Sequence, residues 1–269
     1  MSLFDLAGDG TKIDARYADV MRNQPDALLY DVLDDDRLRA AGRLIWEAAQ
    51  RTQHFAVGSS GVGYALTAHW RASGMIAATR ASLPPVEPVR QLLVLSGSAA
   101  PMTAQQIAWA AQHGFVTIRA ATEALVQPQQ AEAARRDLFE QALAGLSRGD
   151  SVLIYSATGP DDPSIGATRS RMAGASENSA RVLGTAMGRL ARELLMCTDL
   201  RRVVIAGGDT SSYATQELGL YGLEMLAELT PGAPLCRAYS ADPRFDGLQI
   251  ALKGGQMGTV DYFGLARGS

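Results

Sequence analysis

A chain of 269 residues and 28.5 kDa holds one large domain or two modest ones. Its net charge of −3 offers no basic footprint for nucleic acid and no polybasic patch for a membrane surface. Cys197 and Cys236 make neither a metal-like spacing nor a disulfide framework. No apolar run reaches spanning length and Met1-Ser2-Leu3-Phe4 lacks the charged head of a signal peptide, so a reducing, cytoplasmic setting is the expectation. The cations are almost all arginine; the two lysines are Lys12 and Lys253.

Residues 1–25 are polar, with a turn signal at Gly8-Asp9-Gly10. Ala27 to Val32 reads as a short buried strand. Asp34-Asp35-Asp36 opens a helix over about 35–50, with acids where the dipole favours them and Leu38, Ala41, Leu44, Ile45 and Ala48 on one face. Phe55-Ala56-Val57 reads as a second strand, running into Gly58-Ser59-Ser60-Gly61-Val62-Gly63 and a helix containing Tyr64 to Trp70. This is a parallel α/β pattern. Gly74, Pro84, Pro85 and Pro88 mark residues 74–88 as a linker, which gives lobes over 1–85 and 86–269.

A new series starts after it. Gln91 to Leu95 is a strand ending at Ser96-Gly97-Ser98, and a helix follows from Thr103 as N-cap, with Gln106 at the capping-box position. Strands are expected at 115–118 and 151–155, with an amphipathic helix over 129–147 between them. A polar stretch then runs to about 177, and a helix covers 178–197. The chain continues as a strand at 202–206, a helix over 212–228 and strands near 235–240 and 248–253. The fold class is α/β: Rossmann-like, open, mainly parallel sheets flanked by helices, in two lobes.

Several strands end in small polar turns: Gly58-Ser59-Ser60-Gly61, Ser96-Gly97-Ser98, Ser156-Ala157-Thr158-Gly159 and Gly207-Gly208-Asp209-Thr210. A backbone without side chains comes close enough to a phosphate to donate N–H bonds to it. Ligands of open parallel sheets bind at these carboxyl ends. The second glycine-rich segment of the last quarter, Lys253-Gly254-Gly255-Gln256-Met257-Gly258, has the same character. A Walker loop and the spaced dinucleotide fingerprint are both absent, which disfavours an ordinary P-loop protein and makes a nicotinamide-dependent oxidoreductase the weaker reading. Asp209 reads either as a magnesium or proton-accepting group or as the N-cap of the next helix, a role Thr210 fills equally well. Asp161-Asp162 reads as a solvated loop before a metal pair. His54, His69 and His113 have no partners at ligand spacing, and Ser59 and Ser60 lack the strained nucleophile elbow.

Four of these motifs, in order, resemble the four-carbon acid sugar kinases, which include the 3-oxo-tetronate, threonate and erythronate kinases. Leu95-Ser96-Gly97-Ser98 with Met102 to Ile107 resembles the opening of that family's nucleotide-binding domain. Ala206-Gly207-Gly208-Asp209-Thr210-Ser211 matches its Gly-Gly-acid-Thr-Ser motif. Leu252 to Gly258, then Asp261-Tyr262-Phe263, resembles its terminal signature, with Gly254, Gln256 and Met257 where Ser, Asn and Phe are usual. Gly58-Ser59-Ser60-Gly61 resembles a turn late in its sugar-binding domain. The likeness runs from about residue 27 to the C-terminus.

The resemblance implies ATP binding by Ser98, by Gly207, Gly208, Asp209 and Thr210, and by Gly255. It implies magnesium and a small sugar acid as phosphate acceptor. Placement beside the glycines makes Asp209 the expected magnesium ligand or catalytic base and Lys253 an added charge beside the phosphates. The resemblance is compatible with a homodimer and implies no nucleic-acid or membrane partner. The family's opening Ala-Asp-Asp-x-Thr-Gly-Ala segment has no counterpart here. Residues 1–85 therefore resemble the tail of the sugar-acid domain, and the chain is expected to be a truncated kinase or a catalytically inactive nucleotide-binding module.

Overall fold

The computed structural model describes residues 1–78, 83–173 and 178–268. The chain divides into two units, Met1–Ser82 and Leu83–Ser269.

The larger unit is built on one seven-stranded sheet, ordered β2-β3-β1-β4-β7-β6-β5. Its strands are β1 (Leu93–Ser96), β2 (Phe115–Arg119), β3 (Ser151–Tyr155), β4 (Arg202–Ala206), β5 (Leu220–Ala227), β6 (Leu235–Ser240) and β7 (Gln249–Lys253). The first five in spatial order run parallel, and β6 and β5 are added antiparallel. Central strands with helices on both faces have no wet side, which is why β1, β3 and β4 read as unbroken apolar runs. Residues alternate between two cores. Leu93, Leu95, Val203, Ile205 and Ile250 pack with residues of α6 (Pro128–Arg148), α8 (Ser179–Cys197) and α9 (Gly208–Glu217). Leu92, Val94, Val204 and Ala251 pack on the other face with Ile107 and Ala110 of α4 (Pro101–Gln112) and Tyr262 and Phe263 of α10 (Tyr262–Arg267). The short α5 (Thr122–Leu125) and α7 (Pro163–Arg171) complete this unit.

Two expectations for this unit are corrected. The helix placed at 212–228 starts earlier, at Gly208, and ends at Glu217. Gly219 then turns the chain with φ +64°, and Leu220–Ala227 is the edge strand β5. The stretch before residue 177 is not wholly irregular, because Asp162 caps α7 by accepting from the Ser164 N–H at 3.0 Å. Residues 174–177 lie outside the described residues. Among the described residues no helix is long and apolar enough to cross a membrane.

The smaller unit is helical. It contains α1 (Gly10–Met21), α2 (Asp35–Ala49) and α3 (Ser60–Ala72), capped by the side chains of Asp9, Asp34 and Ser59 in turn. The turn signal at Gly8-Asp9-Gly10 is thus a helix start, and the Gly58–Gly61 turn serves as a cap. Leu6, Ile13, Ala40, Ala41 and Leu44 form its core. Gly42 lets α2 approach the backbone of Ala65 so closely that a Cβ would collide with that carbonyl oxygen. The strands expected at 27–32 and 55–57 do not form: the first bonds to the terminal residue alone, Met1 N to the Leu29 carbonyl at 2.8 Å and Asp31 N–H to the Met1 carbonyl at 3.0 Å, and neither segment joins a ladder among the described residues. Leu29 is 78% exposed, Phe55 89% and Val57 98%. A strand is stabilised by a ladder of pairs, and bonds to a single terminal residue do not make one.

Candidate functional site

Three adjacent strands set the site. Ser96, Ala206 and Lys253 are register partners at the carboxyl ends of β1, β4 and β7. The chain leaving β1 returns at β2 on one side of the sheet, whereas β4 leads through α9 to β5 at the far edge. Departures in opposite directions open a crevice between β1 and β4, the place where open α/β sheets take their ligands. The ladder continues past the strands into the loops. Gly97 N–H donates to the Ala206 carbonyl and Gly207 N–H to the Lys253 carbonyl, each at 2.9 Å.

The loops meet this closely because their contact points lack side chains. A Cβ on Gly97 would collide with the Thr210 hydroxyl, and one on Gly255 with the Ser98 hydroxyl. Gly207 stands at φ +116°, a conformation that glycine adopts freely and other residues resist. The result is a cleft of about 190 Å³ lined by Gly97, Ser98, Gly207 to Thr210 and Gly255, with Ser156 and the apolar Leu183 and Met187 of α8 opposite. All six residues expected to bind nucleotide therefore line one cavity: Ser98, Gly207, Gly208, Asp209, Thr210 and Gly255.

The N-terminus of α9 opens into this cleft. Its N-cap is Gly207, with no side-chain cap, so the positive end of the helix is free for an anion. Of the two readings left open for Asp209, capping is removed: it sits in the first turn, exposed, its carboxylate clear of the cap position. Thr210 is buried against Gly97. Among the described residues no group of three His, Cys, Asp or Glu side chains is arranged to hold a metal.

Behind the cleft, Thr103 and Gln106 correct another expectation. The helix starts at Pro101 with Ala100 as N-cap, so neither residue forms a capping box. They lie about one turn apart on a buried face of α4 and clamp the loop after β7. Thr103 Oγ1 donates to the Gly255 carbonyl at 2.7 Å, and Gln106 Nε2 donates to the carbonyls of Met257 (3.0 Å) and Thr259 (2.9 Å). Thr103 Oγ1 also lies 3.2 Å from Ser98 Oγ, which accepts from the Ala100 N–H at 3.2 Å. The Ser/Thr-x-x-Glu/Gln spacing serves either purpose, so sequence alone does not separate them.

Lys253 is 1% exposed, its ammonium 3.2 Å from Thr103 Oγ1 and 3.4 Å from the Gly255 carbonyl. Burial pulls its pKa down to about 8. Asp162 is a buried clamp and not part of a solvated loop. Burial raises its carboxyl, but the Thr158 N–H, the Ser164 hydroxyl and N–H, and the Arg119 guanidinium overcome this and hold it well below the usual range. Asp161 beside it is exposed. No histidine is among the residues that line the cleft; His113 stacks on Trp109 with ring centroids 3.9 Å apart.

A family profile described as the nucleotide-binding C-terminal domain matches residues 93–263. The 3-oxo-isoapionate kinase of Paraburkholderia graminis is 46% identical over 244 residues, which are 89% of this chain and 51% of that protein. The 3-oxo-tetronate kinase of Salmonella typhimurium is 30% identical over 262 residues, 93% of this chain and 55% of that protein. The chain spans about half the length of the curated relatives it matches. Among solved structures, a Haemophilus influenzae protein superposes with a TM-score of 0.65 at 23% identity, covering 100% of this chain and 59% of its own. A Bordetella bronchiseptica domain, crystallised as a domain-swapped dimer with bound citrate, gives 0.53 at 21% identity, covering 99% and 57%. At these identities the likeness is one of fold.

Proposed function

This chain belongs to the four-carbon acid sugar kinase family, whose nucleotide-binding C-terminal domain it carries, and on that premise we propose that its larger unit binds ATP in the β1–β4 crevice for transfer of the γ-phosphoryl group to a hydroxyl of a sugar acid. The observation that carries the reading is the convergence of the Gly97-Ser98, Gly207–Thr210 and Gly255 loops on one cleft at an uncapped helix N-terminus. The missing Cβ atoms leave backbone donors at the surface, and the dipole of α9 favours negative charge there. This donor set fits a polyphosphate.

Phosphoryl transfer asks a protein mainly to position groups and to neutralise charge. Gly208, Asp209 and Thr210 present N–H groups at the start of α9, and the Ser98 hydroxyl and Gly255 form the facing wall. Asp209, the exposed acid at the cleft mouth, is the group for magnesium on the phosphates or for the proton of the acceptor hydroxyl. The names of the relatives point to a 3-oxo sugar acid as acceptor. Unit Met1–Ser82 is the counterpart of part of the acid-binding domain.

Calorimetric titration with ATP, followed by an assay of phosphate transfer to 3-oxo-tetronate, tests the reading. ATP binding that Gly207→Ala weakens supports it. Asp209→Asn is expected to retain nucleotide while losing transfer. A chain that ignores ATP but is stabilised by a nicotinamide cofactor overturns the whole reading. Binding without transfer supports the second reading, a nucleotide-binding module without transfer activity.

A further inference from the structure

Resting on that reading, we propose that Lys253 is a buried counter-charge for the nucleotide phosphates, acting through the wall of the cleft as a positioning residue. A lysine ammonium withdrawn from water ordinarily meets a carboxylate. Lys253 does not: among the described residues no Asp or Glu lies within ion-pair distance of it. Its neighbours are the Thr103 hydroxyl at 3.2 Å, the Gly255 carbonyl at 3.4 Å and the face of the Tyr262 ring, 5.9 Å from Nζ. A positive charge is thus held behind two residues of the cleft wall, with no compensating carboxylate beside it among the described residues.

The hydrogen bonds carry the charge forward. Lys253 donates to Thr103 Oγ1, which directs the single Thr103 proton to the Gly255 carbonyl at 2.7 Å. Ser98 Oγ, already accepting from Ala100 N–H, keeps its own proton for a ligand oxygen. The Gly255 carbonyl faces Thr103 and Lys253, so across that trans peptide the Gln256 N–H points the opposite way, outward from the buried ammonium. Lysine, threonine and the two loops form one device that turns donors outward and places positive charge behind them.

The neighbouring titratable groups do not share the work. Burial raises the Tyr262 phenol, and burial likewise raises the Cys236 thiol on β6, whose charge that phenol senses. Both are neutral at pH 8, where Lys253 is partly protonated in the free protein.

The test is calorimetry with ATP and adenosine on the wild-type chain, Lys253→Met and Thr103→Val, at pH 8 in two buffers of different ionisation enthalpy. Lys253→Met is expected to weaken ATP roughly tenfold, to leave adenosine within about twofold, and to melt no lower than wild type. Wild-type binding of ATP takes up a fraction of a proton that the Met variant does not. Thr103→Val retains that proton uptake with weakened ATP. Equal ATP affinity in wild type and Lys253→Met overturns the proposal, as does a Met variant that melts lower and loses ATP and adenosine alike, which marks a merely structural lysine. A wild-type chain that binds no ATP fails at the earlier step and overturns the nucleotide reading itself.

Discussion

The β4–β7 pair has a buried cation at each end, and the two ends treat it differently. Arg202 opens β4 and Lys253 closes β7, and each is 1% exposed. The Arg202 guanidinium is held by oxygens along its whole fork: Gln249 Oε1 at 2.7 Å, and the Ala266 and Glu87 carbonyls at 2.8 Å each. Lys253 has one hydroxyl at 3.2 Å and one carbonyl at the edge of bonding distance. The amino end of the sheet finishes its hydrogen bonding internally, as a structural joint does. The carboxyl end leaves positive charge underspent beside a cleft. In a protein interior where polar groups are ordinarily satisfied, the sparsely bonded end is the one we propose to be functional.

Removing each cation sharpens this contrast. Arg202→Met takes the donor from one buried and two partly buried oxygens, and unfolding in urea is expected to show a loss of about 3–5 kcal/mol, with ATP affinity of the folded chain unchanged. Lys253→Met should move stability the other way, because methionine brings no charge to bury. A drop from 10.5 to about 8 corresponds to a gain of about 3 kcal/mol on substitution at pH 7. The sign follows from linkage. Between about pH 8 and 10.5 the unfolded lysine holds a proton that the folded one has released, so wild-type stability rises over that window. The advantage of Met is full below pH 8 and fades towards pH 10.5, which melting curves across that range will show. Equal, same-sign losses for both variants break the comparison.

Glycine substitutions test the same end of the sheet more gently. Gly207→Ala sets a side chain at φ +116° against Gly97 and Thr210, and should cost about 1–3 kcal/mol together with nucleotide affinity. Gly208→Ala meets nothing within 4 Å and lies in the first turn of α9. Its effect on unfolding should stay within about 0.5 kcal/mol, so a larger loss of ATP affinity there reports ligand contact alone.

Much of the larger unit was legible because its signals are local. The apolar runs of β1, β3, β4 and β7 need no partner to be recognised, and glycines at their ends advertise close backbone approach. What escaped depended on partners distant in sequence. Leu220–Ala227 becomes a strand by pairing with β6, while its outer residues Tyr221, Leu223 and Met225 stay exposed, so no clean alternation marks it. Thr103 and Gln106 carry a capping spacing yet point at a loop some 150 residues away, at Gly255 and Met257. Helix α1 buries a single residue, Ile13, too few to show a period. At 27–32 and 55–57 the composition of a strand is present without a neighbouring strand to build a ladder among the described residues. The six cleft residues were found as a set through their order along the chain. The load on Lys253 was not, because burial is invisible in one dimension.

The Gly207–Lys253 hydrogen bond has a kinetic consequence. It is the last rung of the parallel ladder, joining Gly207, one residue past β4, to Lys253, the final residue of β7, so the two glycine loops cannot open separately without first unzipping the sheet end between them. Amide exchange should find the Gly207 proton slow, closer to the core strands than to a surface turn, and the two loops fluctuating as one cooperative piece. The cradle is joined at its base by this bond, and exchange should be fastest at the rim, in residues such as Gly208 and Gln256.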